Sequence, residues 1–205
     1  WSRTRKRKEC MHKSFEHILA NVENKVETSE FVVPQNLNLE NWSSEISGSP
    51  FYFRDFEEGE EIHHLDGQTI EEAEHQLATR LYQNNARVHF NHHIEKNGRF
   101  GKRIIYGGYI ISLARAISCN GFANTFKVSA IHNGKHSSPT FSGDTIYAWS
   151  KIIKKEKLTD SFGSMMIRTL ASKNNSDMTF PDKNNLTDNI VLDLEYSVLI
   201  PDIKK

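Results

Sequence analysis

The chain has 205 residues, and its 26 basic and 26 acidic side chains cancel. Hydrophobic residues make up 37%. That is enough for one domain with a real core, or one domain plus a long extension. The cancelled charge gives no global attraction to nucleic acid or to an anionic membrane. No apolar run approaches the length of a membrane span, and nothing reads as a signal peptide. The two cysteines, Cys10 and Cys119, fit no CxxC spacing, so a reducing cytoplasm is the expected setting.

Residues 1–50 do not read as a domain. RTRKRKE (Arg3–Glu9) is a charge run, and MHKSFEHILANVEN (Met11–Asn24) is a weakly amphipathic stretch. From Ser29 to Pro50 the sequence is rich in Asn and Ser and punctuated by Pro34, Gly48 and Pro50, which suggests a linker. Its recurring apolar residues (Phe31, Val32, Val33, Leu37, Leu39 and Trp42) suggest that it docks on a surface. The domain proper is expected at 51–205. TIEEAEHQLATRLY predicts a helix over roughly 70–82, opened by a capping box of Thr69 and Glu72, with Ile70, Ala73, Leu77 and Leu81 as its apolar face. YGGYIISLARAISCNG predicts a second helix. Gly107 and Gly108 open it, an almost wholly apolar body calls for burial, and Gly121 supplies the stop. Four strand-like runs follow, at 125–132, 144–153, 164–172 and 189–200. In the last, Leu192, Leu194, Tyr196 and Val198 face one way and Asp193, Glu195 and Ser197 the other. His132 and His136 flank an NGK that reads as a tight turn and could border a channel. The order of elements gives an α+β pattern, a curved antiparallel sheet around one hydrophobic helix.

Long segments carry a resemblance. FRDFEEGEEI, then GQTIEEAEH, a His-bearing loop, RFGKRIIYGGYIISLARA and FSGDTIYAWSKI together resemble the MaoC-type hotdog-fold acyl-CoA hydratases and dehydratases over roughly residues 51–201. Within that family, TIEEAEHQLATRLYQNNARVHFN and IVLDLEYSVLIP are similar to the mesaconyl-CoA hydratase (β-methylmalyl-CoA dehydratase) branch, whose members carry two hotdog halves. This sequence resembles the second half, and WSRTRKRK resembles the exit from the first. The resemblance implies a hotdog fold and a hydro-lyase that adds water to mesaconyl-CoA. It implies coenzyme A as part of the substrate rather than a separate cofactor. It also implies a homodimer, or pairing with another hotdog domain. A different acyl group, or a non-catalytic acyl-CoA-binding half, stays open.

Hydration of an enoyl thioester needs a base for water, a proton for the α-carbon and stabilisation of the enolate oxygen. The family divides the proton work between an Asp and a His five residues later. Here those positions hold Asn84 and His89. An amide cannot take a proton from water, so the resemblance leaves His89 as the acid–base group and Asn84 to position water or substrate. The family's oxyanion donor falls at Gly108, beside Gly107, at the start of the second helix. Arg87 is a candidate for the substrate's free carboxylate, with Arg103 and Arg99 competing. A serine found in some bacterial members falls at Ala116. The ten histidines contain no H-E-x-x-H or Cys/His set, so no metal site is expected. The basic run lacks interleaved aromatics, which argues against a nucleic-acid partner.

Overall fold

The computed structural model describes residues 25–34, 36–177, 179–181 and 186–203. The basic run and the amphipathic stretch before Lys25 lie outside them. The elements in chain order are a single turn α1 (Ser44–Ser47), strand β1 (Glu61–Thr69), α2 (Glu72–Leu81), a short α3 (His92–Glu95), α4 (Gly107–Phe122) and strands β2 (Lys127–Lys135), β3 (Thr145–Lys157), β4 (Phe162–Lys173) and β5 (Ile190–Pro201). The five strands form one antiparallel sheet in the order β1-β3-β4-β5-β2. This is the expected α+β sheet wrapped round one hydrophobic helix.

Helix α4 buries one apolar side, whereas the all-round burial expected of it is not realised, since Ser112, Ala116, Cys119 and Asn120 line an exposed side. Ile110, Leu113, Ala114 and Phe122 pack into a core with Ile146, Ile152, Ile167, Leu192, Leu194, Tyr196 and Val198 of the sheet. Burial of this kind stabilises by roughly 25 cal/mol for each Å² of apolar surface removed from water. The alternation expected in β5 is realised, with Leu192, Leu194, Tyr196 and Val198 on the helix side. The opposite face is covered as well. Phe31 and Leu39 pack with Phe162 and Leu199, and Val33, Leu37 and Trp42 pack beside them. Trp42 Nε1 donates to Asn124 Oδ1 at 2.8 Å.

Three local expectations are overturned. Thr69 does not cap α2: it belongs to β1, and its hydroxyl bonds that of Thr145 across the strands at 2.8 Å. The helix therefore starts at Glu72, and its buried side is His75, Ala78 and Thr79, leaving Leu77 and Leu81 exposed. Gly121 is not a stop but lies inside α4, where His64 packs 3.1 Å from the position a Cβ would take. NGK is not a turn either, since Asn133, Gly134 and Lys135 pair with Glu195, Leu194 and Asp193 of β5.

Polar groups inside the sheet are satisfied by one another. His64 Nε2, Ser150 Oγ, Thr169 Oγ1 and Tyr196 Oη form a buried chain across β1, β3, β4 and β5, with links of 2.9, 2.9 and 3.2 Å. Each link demands one register, because a slip of one residue would turn these groups to the other face. On that other face Arg168 holds Asp193 through two bonds of 2.9 and 2.8 Å, with the Phe180 ring 5.3 Å from the guanidinium. Removing one partner of such a pair leaves an uncompensated buried charge.

Two predictions follow from these buried groups. Asp193→Ala will lower stability by about 3–5 kcal/mol, read as a shift in the urea midpoint; a shift below about 1 kcal/mol would show that the pair behaves as a surface contact. Burial lowers His64 to about 4, helped by neighbouring His63, and lowers His75 to about 4, helped by His89 and Arg103. The unfolded chain then binds more protons than the folded one between about 4 and 6.5. Stability is complete above that window and falls as the pH drops through it. Denaturant melts between pH 7 and pH 4 will show this slope, reduced in the double variant His64→Gln/His75→Gln; an equal slope in that variant contradicts the assignment.

Candidate active site

The polypeptide between α2 and α4 folds back on the first turn of α4. Asn84 Oδ1 accepts from the Ala86 N–H at 2.8 Å, a local turn that sets the path of the chain. A single 3-10 turn, Arg87–His89, follows. Its backbone is tied down twice, by Gln76 Nε2 donating to the His89 carbonyl at 2.9 Å and by the Ile104 N–H donating to the Val88 carbonyl at 3.2 Å.

The His89 ring is set by its Nδ1, which bonds the Ile104 carbonyl at 2.9 Å. A carbonyl can only accept, so Nδ1 carries the hydrogen and Nε2 is left to take or give a proton. The ring borders a cleft of about 410 Å³ walled by Ile104, Ile105, Gly107, Ile110, His136 and Thr140. Isoleucine walls beside one imidazole suit an apolar acyl chain with a polar reacting end.

The cleft ends at the first turn of α4. Gly107 and Gly108 open this helix, and the first N–H groups of a helix have no carbonyl one turn earlier to bond. Rings crowd both glycines. A Cβ on Gly107 would lie 2.7 Å from His136 Nε2, and one on Gly108 would lie 2.6 Å from the Tyr106 ring. A side chain at either position would have to displace these rings, and with glycine the backbone stays close to them. His75 fixes the turn from behind, accepting from the Tyr106 N–H at 2.9 Å through Nε2. Its low pKa keeps that nitrogen an acceptor at neutral pH. The His75 and His89 rings meet edge to face, with centroids 6.5 Å apart.

The other expected residues stand elsewhere. Asn84 borders a separate hollow with Gln76, Thr79, Arg80, Gln83 and Phe90. Its carbonyl is occupied by the turn, which leaves its NH₂ group for other partners. Arg103 is ion-paired with Glu72 and donates to the Phe90 carbonyl at 3.3 Å. Arg87 is exposed and pairs with Glu95 at 3.7 Å. Arg99 lies over the Phe100 ring at 5.1 Å. Sequence reasoning missed His75, which falls on the expected polar side of α2, and the role of Tyr106. Nothing in the spacing marks either. Among the described residues no helix is long and apolar enough to cross a membrane, and no group of three His, Cys, Asp or Glu side chains could hold a metal ion.

No protein-family model matches the chain. It is 47% identical over 192 residues to β-methylmalyl-CoA dehydratase of Chloroflexus aurantiacus, covering 91% of this chain and 54% of that protein. It is 40% identical over 179 residues to mesaconyl-CoA hydratase of Cereibacter sphaeroides, covering 86% and 51%. The chain thus spans about half the length of the curated relatives it matches. A solved MaoC-domain dehydratase of Chloroflexus aurantiacus superposes with a TM-score of 0.84 at 45% identity, over 91% of this chain and 55% of that one. A Mycobacterium tuberculosis protein with a double hotdog fold superposes with a TM-score of 0.57 at 20% identity, over 85% and 49%, a likeness of fold alone. The chain is a close homologue of β-methylmalyl-CoA dehydratase and mesaconyl-CoA hydratase, built on the hotdog fold of the MaoC-domain dehydratases.

Proposed function

We propose that this chain contributes the acid–base site of a hydro-lyase that reversibly adds water to mesaconyl-CoA, giving β-methylmalyl-CoA. The observation that carries this reading is the apolar cleft holding His89 against the first turn of α4, in a chain so similar to two enzymes named for that reaction. Water attacks the β-carbon while His89 Nε2 takes its proton. The Ile104 carbonyl holds the ring in the tautomer that this step needs. The thioester oxygen, as it gains enolate charge, lies at the N–H of Gly108 with Gly107 beside it, where the helix dipole also favours negative charge.

Asn84 keeps the loop in shape through its carbonyl and offers its NH₂ group to water or substrate. Arg87 is the better of the two arginines for the free carboxylate, because it is exposed and its contact with Glu95 is long at 3.7 Å, whereas Glu72 holds Arg103 closely. Coenzyme A enters as part of the substrate, and the chemistry as drawn calls on no metal or redox group. A second hotdog domain, from a copy of this chain or from another, would complete the assembly.

The test is loss of the absorbance of the conjugated thioester. The chain will hydrate mesaconyl-CoA, and His89→Ala will lower kcat/KM by about 10²–10⁴-fold while still binding coenzyme A. Arg87→Ala will raise KM for mesaconyl-CoA and leave crotonyl-CoA unaffected. Hydration of crotonyl-CoA alone would overturn the substrate. A folded chain that binds coenzyme A and hydrates neither would make it a binding half.

A further inference from the structure

Asn84 stands where a carboxylate would complete the proton work, so the site as described has one acid–base group for two proton transfers. The cleft itself contains another. His136 lies just beyond the end of β2, across the cleft from His89 and against the same first turn of α4. Its Nε2 is the ring atom nearest Gly107, 2.7 Å from where a Cβ would be. Both histidines thus line one cleft, His89 held through Nδ1 by the Ile104 carbonyl and His136 with Nε2 turned to the first turn of α4.

We propose that His136 is the second acid–base residue of this site and handles the proton on the substrate's α-carbon. The proposal rests on the hydratase reading above and supplies the group that reading lacks. In the dehydration direction His136 Nε2 takes the α-proton. The Cα–H bond breaks, and its electron pair passes into the thioester as an enolate whose oxygen lies at the first turn of α4. The pair then returns to form the Cα–Cβ double bond as the Cβ–O bond breaks. The departing hydroxyl takes a proton from cationic His89 and leaves as water. Hydration reverses each step. No electron is gained or lost overall, and each turnover moves one proton between the two imidazoles. The solvent-open side of His136 lets water restore the pair. Partial burial lowers the pKa of His136, only partly offset by the nearby Val191 backbone, which suits a base waiting neutral for an α-proton.

Gly107 gains a second reason to be glycine. Any side chain there would push His136 out of the cleft while leaving the Gly108 N–H in place.

Two measurements test the proposal. In deuterium oxide, mass spectrometry reads solvent deuterium entering the α-position of the thioester. His136→Gln will reduce that exchange and kcat by about 10²-fold or more, with coenzyme A binding and the urea midpoint unchanged. Gly107→Ala will show the same loss. Exchange at the wild-type rate in His136→Gln would overturn the proposal. The second measurement needs no turnover. Addition of succinyl-CoA, a saturated thioester with a free carboxylate, will shift the imidazole ¹⁵N signals of His136, assigned by their absence in His136→Gln. Unmoved signals would overturn the proposal even if the chain hydrates mesaconyl-CoA. Shifted signals in a chain without turnover would uphold the placement of His136 and sink the hydratase reading instead.

Discussion

The close approach of rings to the backbone of Gly107 and Gly108 is the constraint on which the site depends. Helix α4 presses its apolar side into the core, yet its first turn borders the cleft. Glycine reconciles the two, because Tyr106 and His136 can lie where side chains would otherwise stand. The N-terminus of α4 then meets the cleft at Gly107. His75 holds that turn from behind and His89 faces it from the loop. Loss of either glycine would disturb ring placement first and stability second.

The sheet serves the same end. The four-member hydrogen-bonded chain from His64 to Tyr196 runs beneath α4 and links four strands in one register. A core of isoleucines and leucines alone would tolerate small slips of the helix across it, since apolar contacts have little direction. Directional bonds fix strand positions, and α4 rests on those strands. The Arg168–Asp193 pair does the corresponding work on the far face.

Much of this was legible in the sequence for a physical reason. A helix as apolar as α4 has to press a side into the core, and the alternation in β5 has to place Leu192, Leu194, Tyr196 and Val198 together. The resemblance around His89 points to the loop that borders the cleft. What could not be read was competition between partners. Thr69 and Glu72 have the spacing of a cap, but a cross-strand hydroxyl and Arg103 claim them instead. Gly121 looks like a helix stop, yet it serves the packing of His64. His75 lies on a face that reads as polar, and only the return of the chain at Tyr106 gives it a bond. Asn84 and His89 are five residues apart in sequence, and the loop places them on different hollows.

The most direct measurement is a crystal structure of the chain with a saturated, unreactive coenzyme A thioester bound. The account predicts the thioester oxygen within about 3 Å of the first N–H groups of α4, with the α- and β-carbons between the rings of His136 and His89. A thioester lodged instead beside Asn84, in the hollow of Gln76, Thr79 and Arg80, would contradict it.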